Sequence, residues 1–127
     1  MINQIFSIRG ATTVTENTAE AIAERSVELI KAIADRNGLY EKNDLEATDI
    51  LISTTEDLTA SYPAKAIRES GIVRAPLFSM QEPAIDGALS KCIRLMVRVV
   101  NYGERVEPRH VYLHEAAKLR PDLVKNQ

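Results

Sequence analysis

The chain has one cysteine, Cys92, which excludes an internal disulfide and any paired-cysteine metal or redox motif. It has no basic surplus: 16 Lys and Arg stand against 18 Asp and Glu, for a net charge of −2. A nucleic-acid partner calls for a positive excess or stripe, so that class is set aside. No apolar run approaches the length of a membrane span, about 20 residues. The opening MINQIFSIRG lacks the charged and apolar regions of a signal peptide, so a cytoplasmic location is expected. Also missing are GxSxG, HExxH and a glycine-rich phosphate loop. His110 and His114 stand four apart, which is ligand spacing on a helix. Their segment reads as a strand, where they would share a face but lie far apart, and no metal is expected.

What is present suits one domain over residues 1–127, with 45% hydrophobic and 27% charged residues. A chain of this length buries a real core but not a large one. A deep closed pocket is hard to build inside it, and a site between subunits avoids the difficulty, so oligomerisation is expected. Ten of the 16 basic residues are arginine. Their planar donor forks match carboxylates and hint at a small anionic ligand.

Residues 2–9 alternate and predict a strand, and Asn17 to Glu20 reads as a capping box opening a helix over about 18–37. Ile22, Ala23, Leu29, Ile30, Ile33 and Ala34 form its apolar face, and Gly38 is its stop. Residues 47–54 predict a second strand. A short helix starts at Ser61-Tyr62-Pro63 and ends near Gly71, with Pro63 in the first turn, where a missing N–H costs little. Pro76 to Met80 predicts a strand, and Pro83 and Gly87 bracket a loop. In residues 90–100 the alternation of Ile93, Leu95, Val97 and Val99 favours a strand, with Arg94 and Arg98 on the opposite face. Arg109 to His114 predicts a fifth strand, with Val111 and Leu113 on one face and Tyr112 on the other. Leu119 to Leu123 reads as a final turn, and the tail over about 121–127 is expected to be mobile. The fold class is α+β (mixed α/β), five strands on one long helix. A single helix covers one face only, which again points to an oligomer.

The polar residues at strand ends are Arg9, Glu82, Arg94, Tyr112 and Arg120. Each has an ordinary reading: a surface strand cap for Arg9, a loop carboxylate for Glu82, a buried ion pair for Arg94, a core or interface tyrosine for Tyr112. Composition and pattern alone stop at a small soluble domain with a leaning toward an anionic ligand.

Six segments taken together resemble the small trimeric bacterial chorismate mutases, the monofunctional class with a pseudo-α/β-barrel core. They are IRGATTV (8–14), TEDLTASYPAKAIR (55–68), SMQE (79–82), KCIRLM (91–96), RHVYL (109–113) and LRPDL (119–123). They occur in the family's order, at nearly its spacing, over almost the whole chain. The resemblance implies a five-stranded mixed sheet with one long helix. Three such chains would pack around an axis, with active sites in the clefts between neighbours and no cofactor. It implies rearrangement of chorismate to prephenate, an isomerase step in aromatic amino acid biosynthesis. By the same resemblance Arg94 reaches the ether oxygen, and Arg9 and Tyr112 hold the enolpyruvyl carboxylate. Glu82 accepts the ring hydroxyl and lies near the electron-poor ring. Phe78, Ser79, Met80 and Gln81 line the pocket, and Tyr62, Ala64, Lys65 and Arg68 come from the neighbouring chain. Arg120 approaches the entrance. The chain departs from the pattern at three of these: Ser79 stands where cysteine is frequent, Tyr62 where phenylalanine is, and Phe78 where threonine is. Two rival readings are a trimeric enamine or imine deaminase-like enzyme, and a non-catalytic carboxylate-binding module. The first would carry its own signature segments, which are not seen. The second would not require Glu82.

Overall fold

The computed structural model describes residues 1–40 and 44–124. In chain order the elements are β1 (Gln4–Thr13), α1 (Ala19–Asn37), β2 (Leu45–Thr54), α2 (Pro63–Ser70), β3 (Leu77–Gln81), β4 (Cys92–Asn101) and β5 (Val111–Tyr112). A 3-10 turn (His114–Lys118) and a short helical turn, α3 (Pro121–Val124), follow. The strands form one sheet in the order β3-β2-β4-β1-β5. β4 is antiparallel to β1 and β2, whereas β1/β5 and β2/β3 are parallel, so the sheet is mixed as expected.

The alternation in β4 divides the molecule. Ile93, Leu95, Val97 and Val99 are buried on the helix side with Ile8, Ile50 and Ile52. α1 meets them with Ile22, Leu29, Ile30, Ile33 and Ala34, and α2 adds Ile67. Fully burying one such side chain stabilises by roughly 1.5–3 kcal/mol, so this layer holds the fold together. Arg94, Met96 and Arg98 stand on the other face, which α1 and α2 leave uncovered. Among the described residues no helix is long and apolar enough to cross a membrane.

Four expectations are corrected. β1 runs to Thr13 instead of stopping at Arg9, because Gly10 to Thr13 are all buried and their alternation is lost. α1 covers one side there, and Ala11 joins Tyr112 and Ala116 in a small cluster on the other. Gly10 makes this possible: a Cβ on it would sit 2.6 Å from Ile33 Cδ1 and 3.2 Å from Leu29 Cδ1. The N-cap of α1 is Thr18, whose hydroxyl accepts from the Ala21 N–H, rather than Asn17. Asn17 instead accepts from the N–H groups of Thr59 and Ala60 and donates to Thr59 Oγ1, pinning the segment before α2.

The fifth strand is two residues long, not six. The Asn37 side chain binds both backbone groups of Arg109, accepting from its N–H at 2.8 Å and donating to its carbonyl at 2.9 Å. That draws Arg109 off the sheet. At the other end His114 adopts a left-handed φ of 54° and starts the 3-10 turn. The two histidines therefore do not share a strand face: His114 meets Glu28 on α1, and His110 accepts from the Arg9 N–H. Of the tail expected to be mobile, residues 121–124 form the helical turn α3, and residues 125–127 lie outside the described residues.

Candidate active site

The uncovered sheet face carries the polar residues. β1 and β4 pair with Ala11 opposite Arg94 and Arg9 opposite Met96, and β2 sets Ser53 opposite Arg94. Side chains on paired positions share a face, so the register alone assembles Arg9, Arg94 and Ser53. β5 adds Tyr112 opposite Ala11. β3 continues past Gln81, where the Glu82 N–H donates to the Thr54 carbonyl at 2.8 Å. This brings Glu82 beside Arg94.

Arg94 Nε lies 2.6 Å from Glu82 Oε1, and the Ser53 hydroxyl donates to the same oxygen at 2.9 Å. Arginine has five N–H donors, more than Glu82 and the neighbouring Cys92 thiol can take up. The base of β4 is held rigidly. The Asp57 carboxylate accepts from the Lys91 N–H at 3.0 and 3.1 Å, and the Cys92 N–H donates to Thr55 Oγ1. Burial raises the Asp57 pKa, but hydrogen bonds from Thr55 and Lys91 outweigh it and hold the carboxyl below its usual range. Cys92, fully buried next to Arg94, has its thiol pushed up to about 11, chiefly by burial.

Arg9, Arg94, Tyr112, Arg120 and Met80 line one open cleft of about 560 Å³. Arg120 is paired there with Asp122, at 2.8 and 3.0 Å. A second cleft, of about 640 Å³, lies beyond the edge strand β3 and is lined by Tyr62, Ser79, Met80 and Gln81. Met80 borders both clefts. Phe78 projects from β3, 62% exposed, and Tyr62 is 71% exposed. Ala64, Lys65 and Arg68 belong to α2. Within one chain, then, Arg9, Arg94, Tyr112, Arg120 and Glu82 come together, whereas the groups on and before α2 do not join them.

Sequence reasoning missed Ser53 as part of this site, and missed that His110 holds the Arg9 backbone N–H beside it. Ser53 is two residues from Leu51 on the face opposite Ile50 and Ile52, so alternation contained its signal, but its partner Glu82 is 29 positions away.

The chain matches the family model described as chorismate mutase type I over residues 5–123. The chain belongs to the chorismate mutase type I family. It is 41% identical over 123 residues to chorismate mutase AroH from Thermus thermophilus, covering 97% of this chain and 99% of that protein. With chorismate mutase AroH from Bacillus subtilis (strain 168) the identity is 42% over 120 residues, covering 94% and 92%. The fold is similar to that of a solved chorismate mutase from Clostridium thermocellum. The TM-score is 0.79 and the identity 39%, covering 89% of this chain and 98% of that one. The family resemblance carried by the six sequence segments is thereby borne out, as is the five-stranded α+β sheet. Neither the deaminase-like reading nor the non-catalytic one is favoured.

Proposed function

We infer that this chorismate mutase rearranges chorismate to prephenate as an isomerase, with Arg94 and Glu82 as its catalytic pair. The reaction breaks one C–O bond while a C–C bond forms, with no proton transfer and no covalent intermediate. Negative charge gathers on the departing ether oxygen, and the ring becomes positive. A fixed cation beside that oxygen stabilises the transition state more than the substrate. Arg94 is that cation, and Glu82 complements the ring. Arg9 and Tyr112 hold the enolpyruvyl carboxylate so that the side chain lies over the ring, which lowers the entropic part of the barrier. Arg120 leans over the entrance, and Lys65 and Arg68 add positive field for a dianion.

The observation that carries this reading is the Arg94–Glu82 contact of 2.6 Å, on the open sheet face beside Arg9 and Tyr112. Opposite charges side by side are what this reading asks for, the cation for the departing oxygen and the carboxylate for the ring. We propose a cytoplasmic homotrimer in which Tyr62, Ala64, Lys65 and Arg68 of one chain, with Phe78, Ser79, Met80 and Gln81 at the border, complete the site of a neighbour. Support comes from β3, a five-residue edge strand that carries exposed Phe78 and Met80, with exposed Tyr62 on the same cleft as Met80, the kind of edge and apolar patch that proteins normally cover. The test is loss of chorismate absorbance in the ultraviolet with purified protein and no added metal or cofactor, alongside sedimentation analysis. Stoichiometric chorismate binding without turnover would overturn the catalytic reading, and a stable active monomer would overturn the shared site.

A further inference from the structure

We propose that His110 is a positioning residue for Arg9, holding its backbone so that the guanidinium stays where the substrate carboxylate is bound. The proposal rests on the assignment of Arg9 to that carboxylate.

β1 and β5 pair in parallel register at Gly10–Val111 and Ala11–Tyr112, and the Leu113 N–H donates to the Ala11 carbonyl. One rung further back, the same ladder would send the Arg9 N–H to the carbonyl of Arg109. That carbonyl is turned to Asn37 Nδ2 instead, while the Arg109 N–H donates to Asn37 Oδ1. Arg9 thus loses its sheet acceptor at the residue that faces the cleft. His110 Nδ1 takes the N–H at 2.9 Å, so a side chain replaces the missing rung.

An imidazole accepts at Nδ1 only when that nitrogen is bare, so the proton must sit on Nε2. The charged groups bearing on the ring are Arg9 from β1 and Arg120 from the segment before α3, the latter paired with Asp122. Burial first, then these two guanidiniums, press the His110 pKa below its usual 6.5. The cations gathered for an anionic substrate therefore also keep the ring in its accepting form. Protonation would remove the acceptor and add a third positive charge.

The test is steady-state kinetics on chorismate for four variants of the full chain. His110→Leu removes the acceptor and is expected to raise KM roughly fivefold or more, with kcat within about threefold, as for lost ground-state positioning. His110→Asn sets an amide oxygen at the place of Nδ1 and should restore KM to within about twofold of wild type. His110→Gln sets it one bond further out and should resemble Leu, which keeps the test open if the Leu variant fails to fold. Arg9→Ala is the control. If Arg9→Ala leaves KM unchanged, the assignment of Arg9 falls and the proposal with it. If Arg9→Ala raises KM while His110→Leu does not, or if Asn and Gln behave alike, the role of His110 alone is overturned.

Discussion

Replacing Arg94 by alanine should separate catalysis from folding. The guanidinium meets Glu82 at 2.6 Å, yet its side chain is 45% exposed. After solvent screening and side-chain entropy, such a pair contributes at most about 1 kcal/mol to stability. Glu82, 17% exposed, keeps the Ser53 hydroxyl as a partner when Arg94 is gone. The buried residues on either side, Ile93 and Leu95, face the helices and are untouched. The melting temperature should therefore move by only a few degrees. Turnover is a different matter. One preorganised donor on a developing oxyanion contributes about 3–4 kcal/mol, so kcat should fall by at least about 10²-fold. On the proposed mechanism Arg94→Lys should recover only part of that, since an ammonium lacks the planar fork that could engage Glu82 and a substrate oxygen together. Chorismate loss under saturating substrate gives kcat, and circular dichroism with sedimentation shows whether fold and assembly persist. Near-normal turnover in Arg94→Ala would remove this residue from the chemistry. A large loss of stability with normal turnover per folded molecule would make the pair structural.

Gly10→Val should destabilise by about 1–3 kcal/mol, because its branches must displace the packed side chains of Ile33 and Leu29; a thermal melt reads it. Asn17→Ala should cost about 1–2 kcal/mol by stripping partners from Thr59 and Ala60, with faster proteolysis before α2. The Cys92 thiol should resist a disulfide reagent at pH 8 in the native protein and react after unfolding, since it is buried and its thiolate is disfavoured. His110, with a folded pKa below the unfolded 6.5, contributes stability that is present above pH 6.5 and lost as pH falls through the folded value. Denaturation midpoints at pH 7.5 and 5 should differ more for wild type than for His110→Asn, and equal differences would refute the assignment.

Much of the fold was legible because it depends on local periodicity. The alternation from Ile93 to Val99 is a strand with one buried face, and the spacing from Ile22 to Ala34 is a helix with one apolar stripe. Arg94 and Arg98 were placed on the uncovered face by the same rule. Pro63 and Gly71 bounded α2 correctly, the latter through its left-handed φ of 64°. The list of site residues came from the motifs and their resemblance to a family, not from periodicity.

Sequence by itself therefore determined which stretches are strand or helix, which faces are apolar, and which family the motifs resemble. Pairing between distant segments decided the rest. β1 outlasts its alternation because both of its faces are covered near Gly10, and β5 is cut short because Asn37, 72 positions away, captures Arg109. Glu82 meets Arg94 only through the register of β3, β2 and β4, and Arg9 leans on His110 across 101 positions. Local pattern reports what one residue prefers against water. Which polar groups meet is set by how the sheet brings separate segments into register, and no window along the chain contains that information.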